Sequence, residues 1–541
     1  MFNNNIQIQK THWAMRLAPY AGVLAFIWIL RGWIINGNLK ELLLVCVGLA
    51  VLAMAGIVFS DWRKGVYVFF TWLLFEDLVR KYMGNNMAIY FGKDVLIGVT
   101  YISFLVAQSR SKVAKHFHPP FAYSLGLFVL LGLAQVFNPN SPSMAYGVLG
   151  LKLYFYYAPL MLLGYSLLRT EGDLHRFLVI NVSLAGIIAL LGIIQSILGL
   201  DFLNPKTLAP DIALLGRLTR YAPVSGVAVP RPSSVFVSDG RFAIYLIFVF
   251  IMGFGAAGYL LLRTRRGRKF VFPALALIGV AAMMSGSRAC FVYVASSMVV
   301  LAIGMLWGAR KEGGESYRLF KAIRRAATVL ALSLLFTAII FPQEIGARWA
   351  FYQETLSPDS PDYEVSNRIW DYPVGNFLAA FDDPEWVMGH GIGTASLGGQ
   401  YVTRILGVPA TKIGVECGYG ILVLEFGILG LVLWLVWASI FAFQAGKVVL
   451  RLKGTWAFPI GLAIFWFSFL LLFPWTYGGI QPYQNFVLNA YFWVLVGVLF
   501  RLPELVDQTL PESGEMRSVR IGLDFGRSRK LLTQPASNRT I

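Results

Sequence analysis

The chain has 541 residues, 57% of them hydrophobic and only 14% charged, with a formal net charge of +18. A soluble domain carries roughly a quarter charged residues. Here apolar runs of about 20 residues, the length a helix needs to cross a bilayer, recur from end to end, which excludes a soluble enzyme. In a soluble protein the positive charge would point to nucleic acid; here Lys and Arg gather in short loops between apolar runs, as the positive-inside rule requires. No nucleic-acid partner is expected.

The fold class expected is all-α, a polytopic bundle of about 12–14 transmembrane helices. Fourteen apolar segments can be read: 17–35, 41–59, 65–79, 94–107, 119–137, 147–167, 177–200, 242–262, 270–286, 289–308, 326–342, 416–442, 455–475 and 484–501. The first is no cleavable signal peptide, because it lacks a small-residue cleavage site and more spans follow. With the N-terminus inside, the cytoplasmic loops carry Arg63, Arg110, Arg169, Arg263, Arg310, Lys447 and their basic neighbours. The connectors 138–146 and 476–483, external in this threading, have no Lys or Arg.

The division expected is eleven helices over 1–342, a large external lid over 343–415, three helices over 416–501 and a basic cytoplasmic tail over 502–541. The tail reads as a contact with anionic membrane lipid. The connectors 201–241 and 343–415 exceed the roughly 15 residues of an ordinary loop, and loops of that length are usually functional or disordered. Cys46, Cys290 and Cys417 have no pairing or metal-ligand spacing.

In AAMMSGSRACFVY, residues 281–293, Arg288 falls at the external turn between two apolar runs, beside Ser285 and Ser287. A charge at membrane depth costs about 2.5–3.5 kcal/mol on insertion scales. Such an arginine either snorkels to headgroups or serves a ligand. Arg217, Arg220, Arg231, Arg241, Arg368, Arg404 and Lys412 are placed at the same face, as are Asp77, Arg80, Lys81, Lys93, Asp94 and Lys152. Planar guanidinium groups grip phosphate oxygens in bidentate fashion. The pattern therefore suits a lipid-linked phosphate or pyrophosphate.

His390 is the sole external histidine, so a multi-histidine metal site is excluded. The glycines of GHGIGTASLGG (389–399) read as a turn rather than a nucleotide fingerprint, since no strand-like run precedes them. Glu416 stands at the mouth of the segment VECGYGILVLEFGILG, where it either accepts a proton or stabilises a helix N-terminus. Glu425, about 13 Å deeper at 1.5 Å per residue, reads as structural, bonded to a neighbouring helix.

Four stretches between about 225 and 435 resemble motifs of the O-antigen ligase and O-antigen polymerase superfamily of bacterial envelope glycosyltransferases. They are RPSSVFVSDGRFAIYL, SGSRA, RIWDYPVGNFLAAFDDPEWVMGHGIGT and VECGYGILVLEFGILG, in the family's order. The resemblance implies a multi-pass protein of the bacterial cytoplasmic membrane with an outward-facing site. There, a glycan on undecaprenyl pyrophosphate is transferred to an acceptor hydroxyl by an inverting mechanism without metal or cofactor. It also implies a flippase and a chain-length regulator as partners. Carried over, Arg231 and Arg288 hold the pyrophosphate and Glu416 accepts the proton, so these three are the catalytic candidates. Arg368, Tyr419, Arg241, Arg404 and Ser287 are the substrate-binding candidates.

Glu416 occupies the position where the ligases place histidine, and Cys417 replaces the usual asparagine. That resembles the polymerase and exopolysaccharide branches. Polymerisation of lipid-linked repeat units is therefore expected, ahead of ligation to lipid A core or another acceptor. A lipid-oligosaccharide flippase or small-solute transporter is the different-class alternative; it would require a polar path through both leaflets.

Overall fold

The computed structural model describes residues 53–110, 117–210, 214, 216, 218–263, 266–309, 315–357, 364–396, 399, 402–403, 407 and 414–509. The segment 17–35, most of 41–59, Arg217, Arg404, Lys412 and the tail beyond 509 lie outside these residues. What is described is an all-α bundle in which nine helices are long and apolar enough to cross a membrane.

In chain order the helices are α1 (Trp62–Tyr82), α2 (Met87–Arg110), α3 (Ala122–Gln135), α4 (Met144–Phe155), α5 (Leu160–Leu167) and α6 (Glu171–Leu198). Then come α7 (Asp239–Arg263), α8 (Arg268–Met284), α9 (Arg288–Gly308), α10 (Glu315–Ile340) and α11 (Pro342–Leu356). Last are α12 (Tyr372–Ala379), α13 (Gly418–Arg451), α14 (Phe458–Leu472) and α15 (Phe486–Thr509). Between α6 and α7 a small antiparallel hairpin, β1 (Thr219–Tyr221) and β2 (Ala228–Pro230), pairs Arg220 with Val229.

Helices α7 and α15 form the centre, each covered on nearly all sides. Lipid tails give helices little hydrophobic reason to associate, so close packing at small residues must hold such a bundle. The α5–α15 crossing shows it. A Cβ on Gly164 would come within 2.1 Å of the Val494 carbonyl, and one on Gly497 within 2.0 Å of the Met161 carbonyl. Trp434, Trp437 and Trp493 fill the space beside this crossing.

Helix α13 is broken at Gly427, whose φ of +74° leaves the helical region. The backbone of 386–396 repairs the break: the His390 N–H donates to the Leu424 carbonyl (2.7 Å) and the Ile428 N–H to that of Trp386 (3.1 Å). Non-helical backbone survives at membrane depth only where protein supplies its partners. Gly389, Gly391 and Gly393 all take positive φ, so the glycine-rich stretch is a turn. Part of 343–415 is thus a packed wall of the bundle. Glu425 is fully buried there, accepting from Ala395 N, Ser396 Oγ and the Tyr154 hydroxyl at 2.8–2.9 Å.

Basic side chains mark both ends of the bundle. Arg63 (bonded to the Ser166 carbonyl), Arg263 (paired with Glu171), Arg268 and Arg451 (paired with Asp507) gather at one end. The turn carrying Arg288, the β-hairpin, α11 and the mouth of α13 lie at the other.

Candidate functional site

The α8–α9 connection is only Ser285–Ser287, and each residue has a task. The Ser285 hydroxyl donates to the Ala282 carbonyl (2.8 Å) and accepts from Ser287 N (3.2 Å). Gly286 sits at φ +63°, close to the left-handed region that glycine enters at no steric cost. Ser287 caps α9 by accepting from Cys290 N, satisfying an orphan donor of the first turn. Arg288 is therefore the first residue of α9, held at the rim with no slack.

The turn packs directly on the chain leaving β2. A Cβ on Gly286 would lie 3.0 Å from Val229 and 3.1 Å from the Arg231 side chain. Arg231 pairs with Asp239, the first residue of α7, through Nε at 2.9 Å. Arg220 and Arg288 both lie within electrostatic reach of Arg231. Burial, opposed by Asp239 and reinforced by these two neighbours, lowers the Arg231 pKa from its ordinary value. Three guanidinium groups thus gather beside Asp239, a concentration of positive charge that suits an anion.

Helix α11 clamps this wall. The fully buried Arg348 donates through Nε to the Met284 carbonyl (2.8 Å), through Nη1 to Glu344 and through Nη2 to the Pro230 carbonyl (3.3 Å). It thereby ties α8, β2 and α11 together. The Tyr352 hydroxyl donates to the Met283 carbonyl (3.0 Å) and its ring stacks on Phe291. The Arg288 guanidinium lies 5.1 Å over the Phe351 ring, a cation–π contact.

A second wall is built from α12 and the mouth of α13. Glu416 is exposed; its backbone N–H donates to Asn376 Oδ1 (2.9 Å), and its carboxylate accepts from the Tyr372 hydroxyl. Burial first, and the bond to Glu416 next, raise the Tyr372 pKa. Arg368 lies 5.3 Å over the Tyr372 ring, within a wide π-helical turn over Asn367–Asp371. The Tyr477 hydroxyl pins that turn through the Ile369 carbonyl (2.9 Å), and Tyr419 packs beside Tyr477. Cys417, not Glu416, is the N-cap of α13. The two walls are linked by Tyr293 of α9, which packs edge-on against Trp475.

The sequence candidates are thus sorted. Arg231, Arg288 and Ser287 come together on the first wall, with Ser287 buried as a cap; Glu416, Arg368 and Tyr419 share the second. Arg241 joins neither, because it pairs with Asp77 at 3.0 Å. Arg80 (to Asp77), Lys93 (to Glu76) and Lys152 (to Asp94) are likewise held in ion pairs inside the bundle. Lys81 is buried against Ser233 and the Ser234 carbonyl. Arg404 lies outside the described residues.

Sequence reasoning missed Arg348, Phe351, Tyr352, Tyr372 and Asn376. A signal existed for Arg348, Phe351 and Tyr352: with Thr355 they recur at i, i+3, i+4 and i+7, the spacing of one helix face, and all four are buried. Comparison with protein-family models, curated proteins and solved structures returned no match.

Proposed function

We propose that this protein is a membrane glycosyltransferase that polymerises undecaprenyl-pyrophosphate-linked oligosaccharide repeat units. The observation that carries the reading is the pairing of two walls at one end of the bundle. One gathers the guanidinium groups of Arg220, Arg231 and Arg288; the other holds an exposed carboxylate, Glu416, oriented by Tyr372. A pyrophosphate diester carries two negative charges and the oxygens that planar guanidinium groups grip.

In this reading Arg231 and Arg288 bind the donor's pyrophosphate. Glu416 takes the proton from the nonreducing sugar hydroxyl of a second unit as that oxygen attacks the donor's anomeric carbon. The anomeric carbon–oxygen bond breaks in the same displacement, with inversion, and undecaprenyl pyrophosphate leaves with its charge held by the arginines. Preorganised donors aimed at developing charge contribute about 10²–10³ in rate each.

The test is transfer by the purified protein in proteoliposomes containing undecaprenyl-pyrophosphate-linked repeat units, read as a ladder of lengthened glycans. Arg288→Lys keeps the charge and loses the planar fork, so the ladder should fade by about 10²-fold while the yield of folded protein is unchanged. A lysine variant that polymerises normally would make Arg288 a headgroup anchor and sink the assignment. A single acceptor-linked product in place of a ladder would move the protein to ligation.

A further inference from the structure

At the other end of the bundle, α7, α8, α9 and α10 enclose a groove of about 520 Å³, within the roughly 300–1,000 Å³ of typical ligand pockets. Its walls are apolar, among them Phe250 and Phe254 of α7, Phe272 of α8 and Ala302 of α9. It runs along α7 from Leu261 to Phe250, about 16 Å at 1.5 Å per residue. Helix α10 closes it only in part. Leu330 seats against Gly279, where a Cβ would come within 2.4 Å, while Leu332, Leu335, Phe336 and Ile339 face outward. The groove therefore opens sideways, toward the hydrocarbon that surrounds the spans.

Two arginines line it. Arg268 is fixed in place by donating to the carbonyls of Leu260 and Leu261 at 2.7–3.0 Å. Arg325 of α10 is exposed. Arg266, Lys269, Lys321 and Arg324 are exposed on the chain next to them. An apolar slot open to lipid, with basic groups gathered at one end, matches the chemistry of an anionic phospholipid: a chain in the slot and a phosphate at the guanidinium groups.

We infer that this groove is a binding site for an anionic bilayer phospholipid of the leaflet at the Arg268 end, distinct from the arginine wall at the Arg288 end. Its occupant would brace α10 against the bundle. Because α10 runs directly into α11, which holds the Arg288 turn through Arg348 and Tyr352, occupancy would also steady the distant wall. The inference stands whether or not the protein transfers glycans.

The experiment is native mass spectrometry of the full-length, delipidated protein equilibrated with dioleoyl-phosphatidylglycerol, with dioleoyl-phosphatidylcholine or with undecaprenyl phosphate. Wild type should retain at least one phosphatidylglycerol about tenfold better than phosphatidylcholine. Ala302→Phe, which fills the slot, and Arg325→Glu, which reverses the charge, should each abolish that preference, with thermal unfolding checking that both remain folded. Equal retention of the two phospholipids would overturn the proposal. So would unchanged phosphatidylglycerol retention in Ala302→Phe, which would reduce the effect to a basic surface. Displacement of phosphatidylglycerol by an equimolar amount of undecaprenyl phosphate would also overturn it, assigning the groove to a polyprenyl chain. Should Ala302→Phe fail to fold, Arg325→Glu at the exposed rim decides alone.

Discussion

The wall carrying Arg231 and Arg288 and the wall carrying Glu416 share one end of the bundle and are built by opposite means. On the first, a three-residue turn, a buried arginine clamp and a stacked Tyr352–Phe291 pair fix the frame that carries Arg231 and Arg288. On the second, Glu416 is exposed and rests on one backbone bond to Asn376 and one side-chain bond from Tyr372. Like charges crowd on the first wall and would separate if left free, so the fold must supply the restraint. A lone carboxylate has no such neighbours to resist and can remain near solvent, where an acceptor hydroxyl could reach it. Substitutions in the frame of the first wall should therefore cost stability, whereas those on the second should cost activity alone.

The largest expected effect tests the second half of that contrast. Glu416→Gln preserves shape and removes the proposed proton acceptor, so on the proposed mechanism transfer should fall by about 10²–10⁴-fold with no change in the thermal unfolding midpoint. Glu416→His, which restores a base, should recover part of the activity. A glutamine variant working at the wild-type rate would leave the carboxylate a bystander, and transfer would rest on the arginines alone.

Arg348 tests the first half. Arg348→Ala strips the Met284 and Pro230 carbonyls of a buried donor. An unsatisfied buried acceptor costs about 1–3 kcal/mol, so unfolding in detergent should show a loss of about 3 kcal/mol. Arg288→Ala, at the half-exposed rim, should unfold like wild type. If the two variants unfold alike, the walls do not differ in the way described.

How far the sequence reveals these walls depends on which forces leave a local trace. Apolar runs do, so α6, α7, α8, α9 and α14 fall close to their expected segments, whereas α15 runs to Thr509, past the expected end at 501 and into the expected tail. The SGSR turn does too, because capping serines and a glycine act within three residues. The spans expected at 65–79 and 94–107 are longer in the structure, Trp62–Tyr82 and Met87–Arg110. Their charges pair across helices, Lys152 with Asp94 and Arg241 with Asp77, and hydropathy along one segment cannot register a partner on another. For the same reason Arg241 looked available. The packing of 386–396 against the break in α13 left glycines in both stretches but nothing to pair them. Arg348 was legible in its helical spacing, yet within a long connector that spacing went unread.

The smallest effect concerns how the first wall is fastened to the hairpin. Glu354 of α11 accepts from the backbone N–H groups of Val224 (2.8 Å) and Ser225 (3.0 Å), at the tip of the β1–β2 turn. Hydrogen bonds from Ser225, opposed by slight desolvation, hold its pKa below the ordinary glutamate value, which is about 4.3. For a depressed carboxylate the contribution to stability is fully present above the unfolded value and is lost as pH falls through the lower, folded value. The clasp should thus be closed at neutral pH and open in acid, beginning just below about pH 4.3. Hydrogen-exchange protection of residues 219–230 should fall across that window in wild type. In Glu354→Gln, which has no charge to lose, protection should start lower and stay level. Because Glu354 bonds to the tip of the hairpin, the change should be confined to the hairpin and leave Arg348 and the α8–α9 turn protected. Identical profiles for wild type and variant would show that Arg348 and Tyr352 fasten the wall to α11 without help from the Glu354 clasp.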